Sequence, residues 1–205
     1  MIDAFLALSP TLIADCLPRC QVMDPSIRPV WAPLGRIAGP AYTVRCGSGD
    51  HLMLHAAIYR APAGSVIVVE AADAVSALAG GNVCAVAQKN GIAGFVLGGP
   101  VRDVGDIRGV QFPVFATGIC PKAGTKEHVA PLNAPISCSG VRVLPGDVIV
   151  ADEEGIVVVP VAEAATVLAA AQKRAAAEST QTLEDWEKDH RGRIDAILAK
   201  RGFAS

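Results

Sequence analysis

The chain is poor in aromatic residues, 4% of 205. Its core must therefore be filled by Ala, Val, Ile and Leu, as in a compact α/β fold. It lacks a surplus of either charge: 18 basic against 20 acidic side chains leave a net charge of -2. A nucleic-acid binder presents a basic face, so nucleic acid is not expected as a partner. No apolar run reaches the roughly 20 residues that cross a bilayer, and no membrane association is expected. The opening MIDAFLALSP has Asp3 and no basic stretch, so no signal peptide is expected either. None of the six cysteines sits in a CxxC pair. Cys16, Cys20, Cys46, Cys84, Cys120 and Cys138 are scattered through apolar runs and read as small buried thiols in a reducing cytosol. Neither GxGxxG nor the P-loop pattern occurs, so the glycines of GGPVRD do not form a nucleotide loop.

What is present is organised around Gly80 to Asp106, GGNVCAVAQKNGIAGFVLGGPVRDVGD. Ala85 to Lys89 is helix-permissive and Gly91 stops it as a C-terminal glycine cap. Phe95-Val96-Leu97 suits a strand buried on both faces. Gly98-Gly99-Pro100 then turns the chain, leaving Arg102 and Asp103 just past a strand's C-terminal end, where α/β folds bind ligands. Backbone N–H groups of the Gly80–Val83 turn, at a helix N-terminus, would suit an anion.

Around this stretch the pattern predicts a helix opening at Ser9-Pro10 and continuing over Thr11 to Cys16. A proline-rich connection follows over Asp24 to Pro33, then a strand over Gly39 to Cys46. Asp50 is expected as the N-cap of a helix from His51 to about Arg60. A strand is expected at Ser65 to Glu70, a small-residue linker or helix at Ala71 to Leu78, a short helix at Asp103 to Gly109, and a strand at Pro113 to Ala116. Beyond Val129 come glycine-punctuated strand runs at Pro135–Ser139, Val141–Leu144, Asp147–Ala151 and Ile156–Val159, which read as hairpins. The reading is an α/β domain over 1–160, then a helical C-terminal extension over 161–205 that packs on its own or a neighbouring subunit.

Three groups could carry chemistry. Arg102 offers a planar fork for a carboxylate, and Asp103 can hold Mg²⁺ while water and substrate oxygens complete an octahedron. Together they could grip a 2-oxo acid; a surface ion pair, or a capping Asp, is the plain alternative. His51 and His55 share a helix face, but HExxH lacks its glutamate here and no third zinc ligand is evident. One is expected to pack internally and the other to sit at the helix start. Asp147, Asp152, Glu153 and Glu154 lie in glycine turns and read as turn chemistry.

GIAGFVLGGPVRDVGDI, PVFATG and PGDVIVADEEGIVVVP, with GSGDHLMLH upstream, resemble the RraA-like family over roughly residues 10 to 160. The resemblance implies an αββα sandwich like the swivelling phosphohistidine domain, and a homotrimer or hexamer with active sites between subunits. It implies a class II pyruvate aldolase: a lyase cleaving 4-hydroxy-2-oxo acids such as 4-hydroxy-4-methyl-2-oxoglutarate to pyruvate, with oxaloacetate decarboxylase activity. Arg102 would bind the pyruvyl carboxylate and keto oxygen. Asp103 would ligate Mg²⁺ or Mn²⁺, with Asp106 a further metal residue. Gly80, Gly81, Asn82 and Val83 would line the substrate site, the Asn82 and Val83 amides holding the carboxylate. The family's aldolase pattern places an acid where this chain has Gly81. Decarboxylation, which needs no base for a hydroxyl proton, is expected to survive that change better than aldol cleavage. The other branch of the family implies a non-catalytic regulator that binds ribonuclease E or another protein.

Overall fold

The computed structural model describes residues 1–203 of the 205. They fall into two compact units, Met1–Ala171 and a second that begins at Gln172.

The first unit opens with two short helices, α1 (Ile2–Leu6) and α2 (Pro10–Ala14). Ser9 caps α2 by accepting the Leu12 N–H at 3.2 Å, with Pro10 at the first position, as the sequence predicts. The following proline-rich connection contains a strand that the sequence reading missed, β1 (Arg28–Pro29). Pro29 is tolerated there because β1 lies at the sheet edge, where one side of the backbone has no ladder to serve.

Next come β2 (Ile37–Cys46), α3 (Leu52–Ala57), β3 (Val66–Ala71), α4 (Gly81–Lys89), β4 (Gly94–Leu97), α5 (Val104–Gly109) and β5 (Val114–Ala116). They are followed by β6 (Ile136–Cys138), β7 (Val141–Val143), β8 (Val148–Asp152) and β9 (Gly155–Val159). Seven strands form one mixed sheet in the order β1-β5-β4-β3-β2-β8-β9; β6 and β7 pair apart as a hairpin. Strands β2 to β5 run parallel, joined by helices. The β8–β9 hairpin adds antiparallel to β2, so the closing β-rich half extends the parallel sheet.

Alternation within the strands divides the core. Val44, Ile67, Val69, Phe95, Leu97 and Val114 join a cluster with residues of α3, α4 and α5. Val66, Val68, Val96 and Phe115 join the other, with β6, β7 and the β8–β9 hairpin. Neighbouring residues of one strand thus serve opposite faces. All four residues of β4 are buried, matching its unbroken apolar run.

Several expectations need correction. Helix α4 starts at Gly81, four residues before Ala85, because the small residues of the Gly80 turn already take helical geometry. Gly91 does follow its end, in the left-handed region at φ 78°. Helix α3 is shorter than His51 to Arg60, and its N-cap residue is His51 rather than Asp50. Of the two alternatives for Ala71 to Leu78, the linker holds: beyond β3 the chain is irregular, and Ser76 to Leu78 are buried. Of the cysteines, Cys46, Cys84 and Cys138 are buried, but Cys16 and Cys120 are only partly so and Cys20 is exposed. Asp147 and Asp152 serve turns as expected: Asp147 accepts the Leu144 and Val161 N–H groups, and Asp152 accepts that of Glu154 and pairs with Arg36.

Helix α6 (Ala164–Thr180) begins in the first unit, burying Ala164, Val167 and Ala171, and its remainder with α7 (Leu183–Lys200) makes up the described part of the second. Thr182 caps α7. None of the residues of α7 is buried, and Leu183 and Ile197 are exposed. Among the described residues no helix is long and apolar enough to cross a membrane.

Candidate active site

Leaving β4, the chain turns at Gly98-Gly99-Pro100 and makes single parallel bridges from Val101 to Ala79 and to Ile119. The Arg102 N–H donates to the Ala79 carbonyl at 3.0 Å, and the Leu78 N–H to the Pro100 carbonyl at 2.9 Å. These bonds seat the start of α4 directly against Arg102 and Asp103. Asp103 lies in the left-handed region at φ 57° and ψ 42°. That conformation costs a non-glycine residue on the order of 1 kcal/mol, least for Asn and Asp. Its carboxylate accepts the Gly81 N–H at 3.4 Å and stands 3.4 Å from the Arg102 Nε.

The Arg102 and Asp103 side chains remain 45% and 41% exposed. A pair this wet adds little to stability, so its two ends can exchange each other for a ligand. They line a cavity of about 130 Å³ with His51, His55, Gly80, Asn82, Val83 and Lys126. The first N–H groups of a helix have no intrahelical partner and carry the positive end of its dipole. Asn82 and Val83 bring such groups to the cavity wall. A larger hollow of about 750 Å³ between α6 and α7 is lined by residues such as Glu178, Trp186 and Asp189; it has no convergent set of this kind.

Lys126 is placed by a residue far from it in sequence. Asp50, 1% exposed, accepts from the Leu52 N–H at 2.8 Å, the Thr125 hydroxyl at 2.8 Å and the Glu127 N–H at 2.6 Å. Burial pushes its pKa up, but these donors outweigh that and hold the carboxyl well below the usual range. The result is a clamp that pins the 125–128 loop beside α3.

His51 and His55 stack with ring centroids 4.2 Å apart. Burial lowers the pKa of His51, and the charges of Lys126 and Arg102 add to this against the opposing pull of the Ala77 carbonyl and Asp50. Burial, with His51 and Lys126, lowers His55 to about 4. Both rings are therefore neutral near pH 7. Cys84 on α4 is no nucleophile, since burial pushes its thiol up to about 12.

Of the residues expected at the site, Gly80, Asn82, Val83, Arg102 and Asp103 come together. Gly81 is buried beneath them as the donor to Asp103. Asp106 stands in the first turn of α5, packed over Gly81, and is not among the residues lining the cavity. His51 sits at the start of α3 and is itself buried, and it lines the cavity together with His55, which the sequence reading did not foresee; their spacing of four was the available signal. Nothing local marks Lys126. Among the described residues no cluster of three or more His, Cys, Asp or Glu side chains is placed to hold a metal ion.

The RraA-like family profile, described as Aldolase/RraA, matches residues 10–158. A Halalkalibacterium halodurans protein named "Putative 4-hydroxy-4-methyl-2-oxoglutarate aldolase" is 36% identical over 203 residues, 98% of this chain and 92% of that protein. The structure of the RNA-processing inhibitor RraA from Thermus thermophilis is 30% identical with a TM-score of 0.67, covering 73% of this chain and 91% of that one. A Streptomyces coelicolor structure, described as an unusual member of the RNase ES inhibitor RraA protein family, is 26% identical with a TM-score of 0.74, covering 93% and 94%. The parallel β2–β5 core and the cavity at its strand exits are thus those of a member of the RraA-like family, to which this chain belongs.

Proposed function

We propose that the protein is a divalent-metal-dependent lyase that cleaves 4-hydroxy-2-oxo acids of the 4-hydroxy-4-methyl-2-oxoglutarate type to pyruvate, and that it also decarboxylates oxaloacetate. The observation that carries this is the convergence of a half-exposed Arg102–Asp103 pair with the N-terminus of α4 on one cavity. The naming of the Halalkalibacterium halodurans relative supports the aldolase class.

Arg102 binds the substrate carboxylate and keto oxygen through its fork, and the Asn82 and Val83 amides complete the carboxylate's cradle. As the C3–C4 bond breaks, negative charge builds on the keto oxygen, and Arg102 faces it. Lys126 lines the same cavity and adds a second positive charge. Among the described residues the two cavity histidines and Asp103 are not placed to share a metal ion, so the one carboxylate at the wet cavity mouth suits Mg²⁺ or Mn²⁺ that keeps water and takes substrate oxygens. Asp103 would hold that cation; Asp106, packed over Gly81, stands outside the cavity lining. When bound, the cation would polarise the keto group as a Lewis acid.

The test is a panel of 4-hydroxy-2-oxo acids and oxaloacetate with Mg²⁺ or Mn²⁺, read as pyruvate release. Activity is expected with metal, abolished by EDTA, and reduced about 10²-fold or more by Arg102→Ala or Asp103→Ala. Turnover indifferent to chelator and to both substitutions would overturn the reading. A regulator's role is the second reading, favoured by the likeness to the RraA inhibitor structures. A stoichiometric complex with an RNase E-type ribonuclease, and no lyase activity on any 2-oxo acid, would establish it instead. A trimer or hexamer with the site at its subunit boundary belongs to the same proposal.

A further inference from the structure

One atom of His51, a residue that lines the cavity, lacks an explanation. His51 is 6% exposed, and its Nε2 is buried with no hydrogen-bond partner. Buried polar atoms are nearly always satisfied, and an orphan calls for a reason. The other ring nitrogen fixes what Nε2 can be. Nδ1 lies 3.2 Å from the Ala77 carbonyl oxygen, which can only accept, so Nδ1 carries the hydrogen and donates it. In the neutral ring Nε2 then presents a bare lone pair. Stacking on His55 and the backbone bond at Ala77 hold the ring in one orientation. The same cavity wall carries Arg102, Asp103 and the start of α4.

Resting on the lyase reading above, we infer that Nε2 of His51 is the general base that accepts the proton of the substrate's 4-hydroxyl group. The ligand it awaits is thus an alcohol on C4, one of the two carbons of the bond that breaks. The O–H bond breaks and an Nε2–H bond forms. The freed electron pair makes the C4 carbonyl as the C3–C4 bond breaks. That bond's electrons pass into the pyruvate enolate, whose oxygen charge faces Arg102. Nε2 then returns the proton to C3, giving the methyl group of pyruvate and restoring the lone pair. Neither Gly81 nor any side chain at that position is needed for this proton's path. Burial and the nearby Lys126 and Arg102 charges keep the ring neutral before substrate arrives.

Oxaloacetate separates this role from a structural one. Its C–C bond breaks with loss of CO₂, there is no hydroxyl proton to accept, and the enolate takes its proton from water. The experiment measures pyruvate release from 4-hydroxy-4-methyl-2-oxoglutarate and from oxaloacetate, with Mg²⁺, by wild type, His51→Asn and His51→Phe. Asparagine can keep a donor towards Ala77, and phenylalanine can keep the stack on His55; both remove Nε2. In either variant kcat for the hydroxy acid is expected to fall about 10²-fold or more, with oxaloacetate turnover held within about threefold. Equal losses on both substrates would show a structural role and overturn the inference, as would no loss on either. A wild type that turns over oxaloacetate but not the hydroxy acid would overturn the role of His51 and leave the decarboxylase. A wild type that releases pyruvate from neither would overturn the lyase reading, and the inference with it.

Discussion

The buried carboxylate of Asp50 ties the 125–128 loop, and so Lys126, to the start of α3. Asp50→Asn turns one acceptor oxygen into a donor facing other donors: with the NH2 at the Oδ1 position the Leu52 N–H loses its partner, and at the Oδ2 position the Thr125 hydroxyl and the Glu127 N–H do. The expected cost is on the order of 2–3 kcal/mol, read as a lower denaturation midpoint with an unchanged m-value. A different residue sets the behaviour in mild acid. The folded chain holds His55 at a pKa of about 4, against about 6.5 for an unfolded histidine. Between those values the unfolded state binds a proton that the folded state refuses, so stability is complete above about pH 6.5 and falls as pH drops towards 4. The loss from His55 is on the order of 2 kcal/mol across that window. His55→Phe should flatten that part of the stability–pH curve; an unchanged slope would show that His55 is not held neutral.

At the scale of elements, α4 and α5 meet where Gly81 lies under Asp106. A Cβ on Gly81 would stand 2.5 Å from the Asp106 Cβ, closer than packed atoms allow. Gly81→Ala is expected to cost about 1–3 kcal/mol as overpacking. The same change made in an Asp106→Gly background should cost clearly less, a coupling that a double-mutant cycle reads directly. An additive pair would show that the helices do not meet there. The same contact means that placing an acid at position 81 displaces Asp106, so aldolase activity in Gly81→Asp alone would not report on the acid by itself.

These elements also show what the residues disclosed beforehand. Ser9-Pro10 opening α2, Gly91 closing α4 and the buried run of β4 were legible because cap, φ and burial are local properties. Arg102 and Asp103 were legible because a glycine turn after a buried strand places them. The role of Asp50 was misread because its partners lie up to 78 residues away, where no local pattern reports them. Lys126 was invisible for the same reason. The antiparallel addition of β8 to β2 depends on a pairing of distant segments, so hairpins were foreseen but not the sheet they extend.

At the scale of the whole molecule, the first unit holds both core clusters and the cavity, and α7 buries none of its residues. A chain ending at Ala171 should therefore lose the helical signal of residues 172–200 yet still unfold cooperatively, with loss of about 2 kcal/mol or less. Failure of that chain to fold would show that the helical extension belongs to the core. The most direct measurement of the central claim is calorimetric titration of pyruvate into the whole protein, with and without Mg²⁺, for wild type, Arg102→Ala and Asp103→Ala. The account predicts binding that needs the cation, weakens at least tenfold in Arg102→Ala, and loses its dependence on Mg²⁺ in Asp103→Ala. Equal affinity with and without Mg²⁺, unchanged by either substitution, would contradict it.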